Sequence, residues 1–309
     1  MLSSFFGKTK PINYIVLSGF LLLFYSIDLL FRVEGNVQGT KLFLEFLSFG
    51  ALLLSIFIIN EIVRTEKVTD FNSYAMLFFV LLLIAFPNTM MDGNAIFCNF
   101  FLLLAIWRIV SVRSLRNVKH KVFDASFLIG AASLFYDWAL LFLIPVFVII
   151  NVYDRKTFKN WLVPFVALIT VFILSFTLLK LTGYLAFFEE HYQFTTDIFS
   201  DWSLQLSSTK FLMYTLLFFV IMFFVFLRTR KIGGGKLVLL RIIFFIFILG
   251  FGICIFKWKN SSLILLTFFP AAIFLANYVE GIRKPKFREL VLALGIAIPI
   301  LLFVLEHKP

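Results

Sequence analysis

Three carboxylates near the start of the chain occur where apolar runs end, and they could act as general bases or cation ligands. Asp28 lies near the end of the first apolar run, Glu34 in the short connector after it, and Glu45 about one turn into the second run. A carboxylate at the centre of a membrane helix costs about 2.5–3.5 kcal/mol, and less near an end. We expect the three acids to converge on one rim. They form a cation-binding or general-base cluster there, or else Asp28 and Glu45 reach outward to water or pair with Arg32 and Lys41.

Asp92 is a fourth candidate, and it lies in the short polar stretch PNTMMDGN between two apolar runs. Asp-Gly and Pro-Asn pairs are typical of tight turns, so turn chemistry alone accounts for this residue.

The stretch 182–210 is the longest one that could not lie in hydrocarbon. It combines acids with aromatic side chains, including Glu189, Glu190, His191 and Trp202. Aromatic faces beside carboxylates suit sugar rings, whose C–H faces stack on Trp or Tyr while their hydroxyls bond to acids. The alternative is an amphipathic helix on the membrane surface. We predict that this stretch is a long extracytoplasmic loop.

Lysines at the ends of apolar runs could hold the phosphate of a lipid substrate. Lys180, Lys257 and Lys259 lie at such ends. A cation near the headgroup region can bind a phosphate, but snorkelling toward ordinary headgroups explains each of these lysines singly.

The segments that position these residues are apolar and long. Apolar residues make up 61% of the 309-residue chain and charged residues 15%, which is typical of a chain whose solvent is mostly lipid. Irregular backbone cannot satisfy its polar groups in lipid, so helices are expected. We predict an all-α polytopic helix bundle that forms one integral membrane domain over 1–309. Its eleven spans are 12–31, 42–60, 73–87, 95–112, 123–135, 138–153, 161–181, 211–227, 237–257, 261–278 and 289–305.

The distribution of basic residues gives the orientation. With the N-terminus inside, the inner connectors and span ends hold 21 of the 28 Lys and Arg residues. Basic residues concentrate on the cytoplasmic side of membrane proteins, where the lipids are anionic. This pattern predicts an inner (cytoplasmic) membrane protein with its N-terminus in and its C-terminus out. It also assigns the net charge of +11 to contact with membrane lipid, and not to nucleic acid.

Two stretches resemble known families. The run FDASFLIGAASLFYDWALLFLIP, from Phe123 to Pro145, resembles a recurring stretch of polyprenyl-sugar glycosyltransferases of the GT-C type. The order of parts is similar too: an acidic outer connector after the first span, an acidic outer turn after the third and a long outer loop after the seventh. With NVYDRKTFKNWLVPF at 151–165, the whole chain looks like a family of multi-pass inner-membrane proteins of Bacteroidota.

The glycosyltransferase resemblance implies an inverting sugar transfer from a polyprenyl-phosphate-linked donor at the outer face. Asp28 or Glu34 would match the catalytic acid of the first outer loop, and Asp92 the second acid. A carboxylate would activate the acceptor hydroxyl, a divalent cation would steady the leaving phosphate, and basic residues would hold the carrier lipid. The chain departs from this pattern at 32–41, which is shorter than the usual loop and lacks paired acids.

Two other functions stay open. The chain could be a non-catalytic subunit of a cell-envelope complex that docks other membrane proteins through its apolar surface and outer loop. A transporter ranks third, because transporters place ionisable groups and broken helices near the midplane, often within internal repeats. In this sequence the charges gather at the ends of the apolar runs, and no repeat is visible.

Overall fold

The computed structural model describes residues 2–32, 39–198, 206–232 and 234–307, with side chains except at 32, 39–41, 206–208 and 231–232. Over these residues every regular element is a helix. Three short 3-10 helices lie at Val112–Ser114, Asp137–Phe142 and Ser261–Thr267. The α-helices are α1 (Leu2–Phe6), α2 (Pro11–Arg32), α3 (Gly39–Glu66), α4 (Tyr74–Ala85), α5 (Asn88–Met91), α6 (Gly93–Ser111), α7 (Val118–Ser133), α8 (Leu143–Tyr153), α9 (Phe158–Thr182), α10 (Phe187–His191), α11 (Leu206–Ile232), α12 (Gly235–Phe256), α13 (Phe268–Glu280) and α14 (Pro285–Glu306).

Within the described residues, 8 helical segments are long and apolar enough to cross a membrane. They coincide with eight of the predicted spans. The other three predicted spans fall on α4, on α7 and on the shorter apolar run Asp137–Tyr153. The prediction of an all-helical bundle is confirmed for the described residues, and the chain is a multi-pass membrane protein.

The centre of the bundle is α4, which packs against α2, α3, α13 and α14. All of its residues except Leu82 are buried. A helix of 12 residues is about 18 Å long, which is shorter than the roughly 30 Å of the hydrocarbon core. Its shortness exposes no backbone to lipid, because longer helices enclose it.

The helices at the periphery of the bundle carry its apolar surface. Only 28% of the residues in the apolar stretches of α9 and α11 are buried, and only 17% of those in α14. Their exposed side chains include Phe172, Leu216 and Leu301. Apolar faces of this extent belong in lipid, since in water they would drive aggregation.

Helices α7 and α9 approach closely at Gly130. A Cβ atom at this position would lie 3.0 Å from Cγ2 of Val171 and 3.4 Å from Cδ2 of Leu168. Lipid tails are as apolar as leucine, so helices associate in membranes through close packing, and small residues permit it.

A leucine at position 130 should therefore separate these helices. We expect Gly130→Leu to lower the free energy of unfolding by about 1–3 kcal/mol, as overpacking does. Thermal unfolding of the detergent-solubilised protein would measure this. The matched control is Gly19→Leu on α2, where no atom lies within 4 Å of the added Cβ. Equal melting temperatures for the two variants would contradict the packing argument.

Candidate functional site

Asp92 is the N-cap of α6. Its backbone is extended, and its Oδ1 accepts a hydrogen bond of 3.0 Å from the backbone N–H of Ala95. Aspartate is favoured at this position because the first turn of a helix leaves N–H groups without intrahelical partners. The turn that the sequence predicts at Asp92 thus becomes a helix start that fixes one oxygen of the carboxylate.

The other oxygen of Asp92 joins two distant segments of the chain. Its Oδ2 accepts a 2.7 Å hydrogen bond from the hydroxyl of Tyr136 and another from the hydroxyl of Ser262. Nδ2 of Asn260 lies 3.5 Å from the same oxygen. Nδ2 of Asn260 also donates to the Tyr136 hydroxyl, and its side-chain oxygen accepts the backbone N–H of Ser262 at 3.2 Å. We refer to Asp92, Tyr136, Asn260 and Ser262 as the Asp92 network.

Burial, and next the charge of the neighbouring Asp92, raise the pKa of Tyr136 above that of a free tyrosine. Both causes disfavour the phenolate. Tyr136 therefore keeps its proton at neutral pH and serves as a donor to Asp92.

An open cleft of about 490 Å³ lies beside this network. Its lining includes two carboxylates and two ammonium groups, together with amide and hydroxyl groups. Among the lining residues are Asp92, Asp197, Lys257, Lys259, Asn260 and Ser262. The cleft thus combines the predicted residues Asp92, Lys257 and Lys259.

The 182–210 loop begins where Gly183 ends α9. Gly183 has a positive φ of 76°, a conformation in which glycine carries no steric penalty. The N–H of Tyr184 then bonds to the carbonyl of Leu179 at 2.9 Å, which closes the helix end. The chain turns back over the bundle from this point.

The described end of that loop borders the cleft. Nζ of Lys257 donates to Oγ1 of Thr195 at 2.7 Å, and Nε1 of Trp138 donates to the Thr195 carbonyl at 3.2 Å. The N–H of Asp197 bonds to the carbonyl of Phe256 at 2.7 Å. These bonds attach the loop to α12 and to the 3-10 helix at Asp137–Phe142, and they bring Asp197 to the cleft.

The match to a protein family covers almost the whole chain. Residues 12–308 match the pattern described as Family of unknown function (DUF6427). The chain belongs to this family. The matched range includes the Asp92 network and the 182–210 loop. No curated protein and no solved structure matches the chain.

Four further candidates, all among the described residues, do not line the cleft. Glu189 and Glu190 are exposed on α10, and Glu190 accepts a 2.8 Å hydrogen bond from the hydroxyl of Tyr184. His191 stacks on Phe187, and its Nε2 lies 2.8 Å from the carbonyl oxygen of Ser133. Lys180 is exposed at the end of α9.

Asp28 and Glu45 lie in a different place. Asp28 is fully buried near the end of α2, and its Oδ1 lies 2.7 Å from Nε2 of His307. Glu45 accepts a 2.6 Å hydrogen bond from the hydroxyl of Tyr25, which precedes Asp28 by three residues and so shares its helix face. Neither carboxylate lines the Asp92 cleft.

Two sequence-based candidates, Glu34 and Trp202, lie outside the described residues. In the part of the chain that the structure describes, no three His, Cys, Asp or Glu side chains could share a metal ion. The described cleft offers the carboxylates of Asp92 and Asp197 alone. The divalent cation that the resemblance implies stays a prediction, and we derive no step through it.

Sequence reasoning did not select Tyr136, Asn260 or Ser262 as site residues. Asn260 precedes an apolar run, and this pattern predicts a helix cap. No sequence spacing relates Tyr136 to Asp92, because α6 and α7 lie between them along the chain. His307 was likewise missed as the partner of Asp28.

A second charged contact fixes the end of α14. Lys210, which is only 6% exposed, forms an ion pair with Glu306 and donates to the carbonyl of Ala85 at 3.3 Å. A buried ion pair is costly to break from one side, because the remaining charge stays buried without its partner.

We therefore expect Lys210→Met to lower the free energy of unfolding by about 3–5 kcal/mol. The double variant Lys210→Met/Glu306→Gln should recover most of this loss, since it leaves no buried charge. Thermal unfolding of both proteins in the same detergent would test the pair. A double variant as unstable as the single one would show that Lys210 acts through something other than Glu306.

Proposed function

We propose that this chain is an enzyme of the inner membrane. It would transfer a sugar from a polyprenyl-phosphate-linked donor at the outer face of that membrane. The Asp92 cleft would be its site. The observation that carries this proposal is the composition of the cleft, where two lysines lie beside two carboxylates and neutral hydrogen-bonding groups. A phosphate with a sugar attached needs this combination: cations for the phosphate, and acids and amides for the hydroxyls.

The size and position of the cleft fit such a headgroup. A volume of about 490 Å³ lies within the range of small-molecule sites. Lys257 and Lys259 lie just after α12 ends at Phe256, so a carrier lipid could keep its chain in the bilayer while its phosphate reaches them. Asn260 and Ser262, which line the same cleft, contact Asp92 directly.

Asp92 is the proposed general base. An acceptor hydroxyl would take the place of the Ser262 hydroxyl at Oδ2. As the new C–O bond forms at the anomeric carbon, its proton would pass to Asp92. The sugar–phosphate bond breaks, and the phosphate leaves with the electron pair toward Lys257 and Lys259. Tyr136 would hold the carboxylate in place throughout, because it donates to the same oxygen.

This mechanism is tested with Asp92→Asn. Asn keeps the shape and the cap to Ala95 but cannot accept the proton. We expect about 10²–10⁴-fold slower transfer, the usual contribution of a general base. The measurement is release of labelled hexose from a panel of polyprenyl-phosphate hexoses by protein in liposomes. The control is Asp124→Asn, which removes a half-exposed acid 3.3 Å from Arg108 and outside the cleft. Full activity of Asp92→Asn would remove the catalytic role.

A non-catalytic subunit of an envelope complex is the second candidate. Its supporting observation is that hydrogen bonds from the protein already satisfy the Asp92 carboxylate, as expected of a structural hub. The same preparation separates the two functions. Wild-type protein that transfers no sugar but purifies from mild detergent with a stoichiometric membrane partner would favour the subunit.

We further propose eleven crossings with the N-terminus in and the C-terminus out. The contacts of α4 support this count. Before α4 begins, Oγ of Ser73 accepts a 2.7 Å bond from Asn13, near the start of α2. At its end, the carbonyl of Ala85 accepts a bond from Lys210, near the start of α11. Despite its length, α4 thus joins the same two polar layers as the longer helices.

Labelling with a membrane-impermeant maleimide tests the eleven crossings. The background is Cys98→Ala/Cys254→Ala, since both thiols are buried. In right-side-out vesicles we expect Gln193→Cys to be labelled, and Lys8→Cys and Arg116→Cys to be protected. If only the eight long helices cross, position 116 lies on the opposite side from position 8. Labelling of Arg116→Cys but not of Lys8→Cys would therefore overturn the eleven-span topology.

A further inference from the structure

A second cavity, of about 340 Å³, lies at the other end of the bundle from the Asp92 cleft. It is bounded by α11, by the ends of α12 and α13, and by the connector before α4. Glu280 ends α13 here, whereas Asn260, which lines the Asp92 cleft, precedes the same spanning segment at its other end. We propose that this cavity binds the headgroup of an aminophospholipid, that is, a phosphodiester joined to a primary ammonium.

The cationic side of the cavity consists of Arg228 and Lys236. The guanidinium of Arg228 lies over Gly281, in space that any larger side chain at 281 would occupy. Arg228 makes no hydrogen bond or ion pair with the described residues. Nζ of Lys236 lies 3.9 Å from Oδ1 of Asp70, which is longer than a hydrogen bond. Both cations therefore retain donors for a phosphate, and arginine can bind one with two parallel bonds.

The anionic side of the cavity is a carboxylate held by one oxygen. Oε1 of Glu280 accepts hydrogen bonds from the backbone N–H of Asp70 at 3.1 Å and from Nδ2 of Asn72 at 2.7 Å. Its Oε2 accepts none from the described residues. A fixed carboxylate with one oxygen that no described donor reaches suits an ammonium group that can donate hydrogen bonds.

The charge balance of the cavity selects the type of headgroup. Arg228 and Lys236 offset Asp70 and Glu280. An anionic headgroup would satisfy the cations and leave Glu280 facing a hydroxyl or a second negative charge. A zwitterion with a primary ammonium satisfies both sides, whereas a quaternary ammonium cannot donate to Glu280.

The cavity also reaches the lipid-facing surface. Phe224 lines the cavity and is 52% exposed on the outer face of α11, and Tyr278 adds a second aromatic wall. An acyl chain could leave the cavity along this face without crossing a polar group. The cavity lies at the end where Arg and Lys concentrate, which is the cytoplasmic leaflet in the topology proposed above.

Titration of the purified protein in detergent with dioleoyl phosphatidylethanolamine, monitored by native mass spectrometry, tests this assignment. We expect binding several-fold tighter than for the phosphatidylcholine and phosphatidylglycerol of the same chains. Arg228→Gln should weaken phosphatidylethanolamine binding about tenfold, the loss expected for a charge-assisted hydrogen bond. The matched control is Arg230→Gln, which removes an exposed arginine two residues away that does not line the cavity. It should bind like the wild type.

Glu280→Gln separates the two halves of the site. It should abolish the preference for phosphatidylethanolamine over phosphatidylglycerol and keep the affinity for phosphate. Because Glu280 also holds the 67–73 connector, the melting temperature of the Glu280→Gln protein is measured alongside. Equal weakening by Arg228→Gln and Arg230→Gln would overturn the proposal, as would a wild type without headgroup preference. If glycerophosphoethanolamine, which has no acyl chains, binds as tightly as the lipid, the ligand is a soluble phosphoethanolamine and the lipid assignment fails.

Discussion

The hydrogen bonds to the Asp92 carboxylate hold together three segments that the chain sequence separates widely. In a membrane the hydrophobic effect places helices in lipid but does not choose their neighbours, because a lipid tail is as apolar as a leucine. Directional polar contacts supply that choice. Asp92 caps α6 and accepts hydrogen bonds from hydroxyl groups in the turn after α7 and in the 3-10 helix before α13. Each such bond to a charged acceptor is worth about 1.5–3 kcal/mol, so this network fixes the relative positions of the segments that build the cleft.

The depth at which these polar contacts lie follows from the cost of burying charge. Asp28 with His307, and Lys210 with Glu306, lie near helix ends, where the penalty is smaller than at the bilayer centre. Helix α4, at the centre of the bundle, packs almost entirely through apolar side chains. This separation places potential chemistry at the two membrane faces. It also allows a helix as short as α4 to occupy the centre, because its ends meet polar layers and its sides meet other helices.

The two cavities differ in the way their charges are used. In the Asp92 cleft, the carboxylate is fully engaged with protein donors, and Lys257 helps to attach the loop that follows α9. Any substrate there must replace contacts that already exist. In the cavity at the other end, Arg228 has no partner among the described residues and Glu280 keeps one oxygen directed to none. A ligand there adds contacts without breaking any, which suits a resident lipid more than a substrate that must leave.

The sequence alone determined the helical membrane architecture, since long apolar runs admit no other backbone that satisfies its hydrogen bonds in lipid. It also selected Asp92, Lys257 and Lys259 as candidate site residues, because a polar residue at the end of an apolar run is conspicuous. Only the tertiary structure decided that these three share a cleft with Asp197, while the buried Asp28 and the half-buried Glu45 lie elsewhere. Apolar runs of similar length and composition specify depth but not neighbours. The partners of each polar group are therefore set by side-chain packing between helices, which no spacing along the chain encodes.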